Sequence, residues 1–370
     1  MLLRRLPLPL TCIVAFTLAA CDESKQKPSP MPGASASAAS ATAPASAAAP
    51  KPLPPMPKAA PIPKGPEVLP EVKSPPENAL TPEKVALGRQ LFFDKRLSKD
   101  GTASCETCHV PEKGWTDGSA LSKKVGGAVN TRHSPTLINV AYNQRWYWDG
   151  RAETLEKQIE AAWKGQMGAD PAAIAATVGK IPGYEVQFKT IFNRDATGDD
   201  IVAALASFVR TIRSGDAPWD LYEKGDKKAV SEEAVRGAEL FRGKAQCMSC
   251  HTPPLYTDLG FHNVGIGFDK PEPDLGRGKI SKDEKENGAF KTPSLRSVST
   301  HAPYFHDGRA ATLDEAVDYM LSGGVRDKNA NIDPRFQKVK LTPKERTDSI
   351  AFLKALEPTA SAFERPALPQ

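Results

Sequence analysis

Cys105-Glu106-Thr107-Cys108-His109 decides the reading of this chain, because the pattern returns at Cys247-Met248-Ser249-Cys250-His251. C-x-x-C-H is the attachment signature of a c-type haem. The two thiols add across the haem vinyl groups, and the adjacent histidine is placed to ligate the iron from one face. A lone C-x-x-C would also suit a redox dithiol or half of a zinc site. Two copies, each followed at once by histidine, favour two covalently bound haem c groups. One is expected on Cys105, Cys108 and His109, the other on Cys247, Cys250 and His251.

The cysteine arithmetic then closes. Of six cysteines, four are in the haem motifs, Cys12 lies in an N-terminal leader and Cys21 sits at its end, so none is left for a structural disulfide. The 370 residues, 40% hydrophobic and 25% charged, are enough for two modest domains with their own cores. The formal charge of +5 would be roughly cancelled by haem propionates once the leader arginines are removed. That balance gives no argument for a nucleic-acid partner.

Arg4 and Arg5 precede a short apolar run ending at Leu18-Ala19-Ala20-Cys21, too short to span a bilayer. Small residues before a cysteine resemble a bacterial lipobox. Residues 1–20 therefore read as a lipoprotein signal peptide and Cys21 as the lipidated first residue of the mature chain. The plainer alternative is an ordinary signal peptide with Cys21 there by chance. Asp22 resembles the signal that retains lipoproteins on the inner membrane, and the choice between inner and outer membrane stays open. Haem c is assembled outside the cytoplasm, so leader and haem motifs agree on a periplasmic protein held to a membrane through its N-terminal lipid.

Residues 21–78 are mostly Pro, Ala, Ser and Lys and cannot bury enough apolar surface to fold. They are expected to form a disordered tether spanning roughly 40 Å as a coil. Folded sequence begins at Thr81-Pro82-Glu83, a helix start with a capping threonine, proline at the first position and an acid in the first turn. Val85, Gly88, Leu91 and Phe92 make one helical face, and Val235, Gly237, Leu240 and Phe241 make a similar one before Cys247. Closing helices are expected around Leu205–Ile212 and Ile350–Leu356. No stretch alternates convincingly with period two. The reading is all-α, with two cytochrome c-like domains over residues 79–226 and 227–357 and a tail at 358–370.

The halves share more than the haem motif. Ser134-Pro135-Thr136-Leu137 matches Thr292-Pro293-Ser294-Leu295, and Asp149-Gly150-Arg151-Ala152 matches Asp307-Gly308-Arg309-Ala310, with proline and aspartate 14 residues apart in both. This points to an internal duplication. Met320 lies 13 residues after Asp307, and its counterpart after Asp149 is Ala162. A thioether can complete haem iron and raises its potential, whereas a methyl group cannot bind it. The second haem is thus expected to be ligated by His251 and Met320, and the first, on His109, to keep one face open. Met167 is the other candidate ligand for that face, and the bland reading of Met320 is a core methionine.

With these motifs in hand, residues 80–357 resemble the bacterial di-haem cytochrome c peroxidases and their relative MauG, which oxidises a protein substrate. The resemblance rests on the paired haem motifs and the repeated proline motifs. It rests also on Trp148-Asp149-Gly150-Arg151, Phe261-His262-Asn263 and Pro303-Tyr304-Phe305-His306-Asp307-Gly308. It implies that the first haem reduces hydrogen peroxide. The second would pass in electrons from a small periplasmic cytochrome c or copper protein. Trp148 matches the tryptophan that relays charge between the haems, and Met320 falls at the family's second-haem methionine, where MauG carries a tyrosine. Arg151 and Arg309 are candidates to pair with haem propionates. His262 and His306 read as structural hydrogen-bonding groups.

Three departures stand out. The loop Val125-Gly126-Gly127-Ala128-Val129-Asn130 holds no histidine where family members often carry a distal ligand; His133 lies beyond it. In the distal pocket Gln158 fits the family's glutamine, but Gln166 stands where a glutamate is expected. An amide can orient peroxide yet cannot move a proton as a carboxylate does, so Glu160, Asp170 or a water would have to take over. The family also binds calcium between its domains, and His133 and His301 align with two of its ligands. Imidazoles do not suit that hard cation, although backbone carbonyls still could. The main expectation is a peroxide-reducing enzyme. The alternatives are a MauG-like oxidase of a protein substrate and a non-catalytic di-haem electron-transfer protein.

Overall fold

The computed structural model describes residues 52–327, 330–359 and 363–370; the leader, Cys21 and the first part of the tether lie outside them. Thr81 opens the first helix as its chemistry suggests, its hydroxyl accepting from the Lys84 amide at 3.2 Å with Pro82 next in line. This helix is α1 (Pro82–Phe93). It is followed by α2 (Leu155–Met167), α3 (Pro171–Val178), α4 (Pro182–Phe192), α5 (Gly198–Val209) and the short α6 (Pro218–Glu223). The second half holds α7 (Glu232–Arg242), α8 (Arg277–Ser281), α9 (Leu313–Ser322) and α10 (Pro343–Ala355). One small sheet pairs β1 (Phe261–His262) antiparallel with β2 (Phe290–Lys291), Phe261 facing Lys291. The protein is mostly helical with little sheet, as expected.

Each half is framed by a crossing of its first and last long helices, α1 on α5 and α7 on α10. A Cβ on Gly88 would stand 1.8 Å from the Ala204 carbonyl oxygen, and one on Gly237 would stand 1.9 Å from that of Asp348. Only a residue with no side chain lets the backbones approach so closely. Around these crossings lie two apolar cores, one including Leu87, Phe92, Trp163, Phe188 and Leu205, the other Trp219, Phe241, Tyr256, Phe352 and Leu356.

The repeated sequence blocks take the same local shapes. Trp146 bridges to Ala152 as Tyr304 does to Ala310, and Tyr147 and Phe305 both hold positive φ, 65° and 71°. Thr154 caps α2 and Thr312 caps α9, and both helices stop at a left-handed glycine, Gly168 and Gly323. The halves are joined by Arg132, which reaches Asp149 at 2.6 Å within its own half and Asp274 at 2.7 Å in the other.

Both flanking segments lie against this body. Residues 52–75 form no helix or strand, yet Leu69 is buried and the Tyr142 hydroxyl donates to the Pro70 carbonyl at 3.0 Å. Packing thus starts before the expected boundary near residue 79. The tail returns to the first half: Phe363 stacks on Phe93 at 5.3 Å, and Arg365 pairs with Glu112 at 2.8 Å and with Glu106 inside the first haem motif. Among the described residues no helix is long and apolar enough to cross a membrane.

Candidate active site

Both C-x-x-C-H segments begin as a single 3-10 turn, Cys105–Thr107 and Cys247–Ser249, and each sets its cysteines and histidine along one cavity. The His109 Nδ1–H donates to the Trp115 carbonyl at 3.0 Å, and the His251 Nδ1–H to the Tyr256 carbonyl at 2.9 Å. A carbonyl can only accept, so each ring keeps its proton on Nδ1 and presents Nε2 with a free lone pair. Burial lowers both imidazoles, which holds them in the neutral, ligating form. Burial also pushes the Cys105 and Cys247 thiols up to about 12. A reactive redox dithiol would need the opposite shift. The residues present therefore fit a thioether-bound haem at each cavity.

The first cavity is covered by α2. Gln158, Ala162 and Gln166 line it and recur four residues apart, one row on the helix. The Ala162 methyl thus lies between two amides, and Gln166 Oε1 is buried with no hydrogen-bond partner among the described residues. Met167 lines the same cavity but is buried in the first core. Glu160 and Asp170 are corrected as proton carriers. Glu160 pairs with Lys164 along the helix surface, and Asp170 caps α3 through the Ala172 amide at 3.0 Å. Neither lines the cavity. The carboxylate that does is Asp149, buried and clamped between Arg132 at 2.6 Å and Arg151 at 2.9 Å.

The second cavity has the same plan with a different lid. Met320, near the end of α9, lines it together with Cys247, Cys250 and His251. The counterpart of Ala162 is thus a thioether on the corresponding helix. Trp148 lines both cavities, its indole N–H donating to the His133 carbonyl at 2.9 Å and its own carbonyl accepting from the Lys291 amide at 2.8 Å. A side chain between the two sites is where a relay has to stand.

Arg151 lies over the Tyr147 ring at 3.5 Å and lines the first cavity while held by Asp149. Arg309 does not line the second cavity; Asp307 and Asp269 already neutralise it, at 2.9 and 3.0 Å. His262 bridges Asp258 and Asp333, both at 2.8 Å, as a hydrogen-bonding group, whereas the His306 ring stacks on Phe290 at 3.6 Å. His133 and His301 are buried between the halves. The His133 Nδ1–H donates to the Ser119 carbonyl at 2.8 Å, and its carbonyl is taken by Trp148. Burial holds His301 down at about 4, a neutral ring. Two imidazoles so placed do not fit a calcium ion, which prefers carboxylate and carbonyl oxygen.

Two residues at the junction escaped the sequence reading, Arg132 and Lys291. Lys291 had a signal: counted from the repeated proline motif, it occupies the place of His133 in the first half. Arg132 had none, since its partner Asp274 is 142 residues away.

Comparison with known proteins agrees with this geometry. A family model described as di-haem cytochrome c peroxidase matches residues 82–228. The methylamine utilization protein MauG of Methylorubrum extorquens is 38% identical over 310 residues, covering 82% of this chain and 86% of that protein. Cytochrome-c peroxidase IdrP1 of Denitromonas iodatirespirans is 37% identical over 332 residues, covering 80% and 87%. The crystal structure of a MauG-like protein associated with microbial copper homeostasis superposes with a TM-score of 0.74 at 33% identity, covering 79% of this chain and 94% of that one.

Proposed function

The chain belongs to the bacterial di-haem cytochrome c peroxidase family, and from that premise we propose how its two haem c sites divide the reduction of hydrogen peroxide to water. The site on His109 is peroxidatic and the site on His251 and Met320 accepts electrons. The carrying observation is the unequal lid: Ala162 between two amides over one cavity, Met320 over the other. A haem held by Cys105, Cys108 and His109 would supply an iron able to react with peroxide, and one held by Cys247, Cys250, His251 and Met320 would supply a high-potential acceptor for single electrons. The balance is one H₂O₂, two protons and two electrons to two waters.

The protein's residues set the conditions. Gln158 and Gln166 orient the peroxide, and the unpaired Gln166 Oε1 accepts a hydrogen bond from it. Neither amide moves a proton, so the protons arrive through water. Trp148 carries charge between the sites, and a small periplasmic redox protein delivers electrons at the second. The same reading includes two haem domains derived by duplication, supported by the matched caps and turns, and a periplasmic enzyme held by lipid on Cys21.

The test is an EPR spectrum of the oxidised protein beside a steady-state assay. One high-spin and one low-spin haem, with peroxide-dependent oxidation of a reduced small cytochrome, is the expected result. Two low-spin haems unresponsive to cyanide would leave a non-catalytic electron carrier. Met320, standing where MauG has tyrosine, argues against the MauG-like reaction, which slow cytochrome oxidation with fast oxidation of a protein side chain would instead favour.

A further inference from the structure

We propose that Lys291 is the shared cation of the two haem sites, its ammonium pairing with a propionate of each. The proposal rests on the two haems being bound and not on peroxide turnover. Each haem c brings two propionates, and carboxylates taken out of water require cations or hydrogen-bond donors beside them. The arginines near the cavities are already engaged: Arg132 with Asp149 and Asp274, Arg151 with Asp149, Arg309 with Asp307 and Asp269. Lys291 is different. It is the one cationic side chain, among the described residues, that lines both cavities.

Its ammonium makes no ion pair and no hydrogen bond with a described residue, and the side chain is half-buried where the two cavities meet. Burial alone lowers it, to about 8, with no carboxylate to offset the loss of water. A half-buried ammonium with no anion beside it is an incomplete arrangement, and it faces the cavities whose residues fit the two haems. The backbone fixes it there. In β2 it pairs with Phe261 of β1 and follows Phe290, which lines the second cavity with it. Its amide donates to the Trp148 carbonyl at 2.8 Å, which locks the lysine to the tryptophan between the sites.

A cation beside the propionates favours the ferrous state of each haem, which carries one positive charge less than the ferric. The experiment compares Lys291→Gln and Lys291→Arg with the wild-type holoprotein by spectroelectrochemical titration, after haem content confirms two haems per chain. Both midpoint potentials should fall in Lys291→Gln and stay near the wild type in Lys291→Arg. If either potential is unmoved in Lys291→Gln, the shared role is wrong. Should that variant fail to take up haem, the pH dependence of the wild type and Lys291→Arg decides. Potentials flat between about pH 5 and 7 are expected of propionates kept ionised by a paired cation. Potentials that climb as the pH falls through that range would overturn the proposal.

Discussion

At the scale of single residues, the proposed division of labour rests on side chains at matched places on α2 and α9. Met320→Ala should open the second site, so that EPR of the oxidised protein shows a second high-spin haem and the potential of the second haem falls. An unchanged spectrum would make Met320 a core methionine. Gln166 offers the opposite experiment. Its Oε1 is a buried acceptor without a donor, and a carboxyl there could move the proton that an amide cannot. Gln166→Glu should raise peroxide turnover by up to about 10²-fold, measured as kcat with saturating reduced cytochrome. A fall in kcat would show that the amide, with water, is already the better arrangement. These positions were legible in the sequence because ligand type and spacing are local properties. Glu160, one of three candidate proton carriers, falls off the row of Gln158, Ala162 and Gln166 and pairs with Lys164 on the helix surface.

At the scale of elements, the two helix crossings carry each half. The glycines at their centres were visible as members of apolar helical faces, but their purpose is set by the neighbouring backbone, 1.8 Å from a Cβ at Gly88 and 1.9 Å at Gly237. Gly237→Ala should force α7 from α10 and cost about 1–3 kcal/mol, read as a lower midpoint in chemical denaturation. No change would mean that the helices part without strain. Beside this crossing Arg296 and Asp220 form a buried two-pronged pair at 2.9 and 2.8 Å. Asp220→Ala leaves the guanidinium buried without its carboxylate and should cost about 3–5 kcal/mol. A loss well under that range would mean that the Pro254 carbonyl, at 2.6 Å from Arg296 Nε, suffices as partner.

At the scale of the whole molecule, one of the ion pairs that fasten the halves, Arg132 with Asp274, is sensitive to acid. Burial pushes the Asp274 carboxyl up, but Arg132 and the Gly276 amide more than offset it and hold it below the usual carboxylate range. Its contribution is present above the unfolded value of about 3.9 and is lost as the pH falls through the folded one. Asp274→Asn should therefore lower stability by about 2 kcal/mol near neutral pH, and the gap to wild type in thermal melting should close below about pH 4. A gap that stays constant with pH would exclude the charge as its origin. The tail makes a second fastening, and Phe363→Ala should cost about 1–2 kcal/mol through its contacts with Phe93 and Trp115.

The sequence by itself determined the cofactors, the helical class, the repeated frame and the unequal lids. Each is written in short-range terms: adjacent cysteines and histidine, a helical period, a cap, a fixed interval from a repeated motif. The tertiary structure alone decided what lies between the repeats: Lys291 facing both cavities, Arg132 joining the halves, the burial of His133 and His301, and the tail on the first haem motif. Those features depend on burial and charge brought together from residues far apart in the chain, such as Arg89 and Glu364, 275 positions apart. No local pattern encodes such a meeting, because the chain supplies the groups and only its closure sets which are left without water or partner.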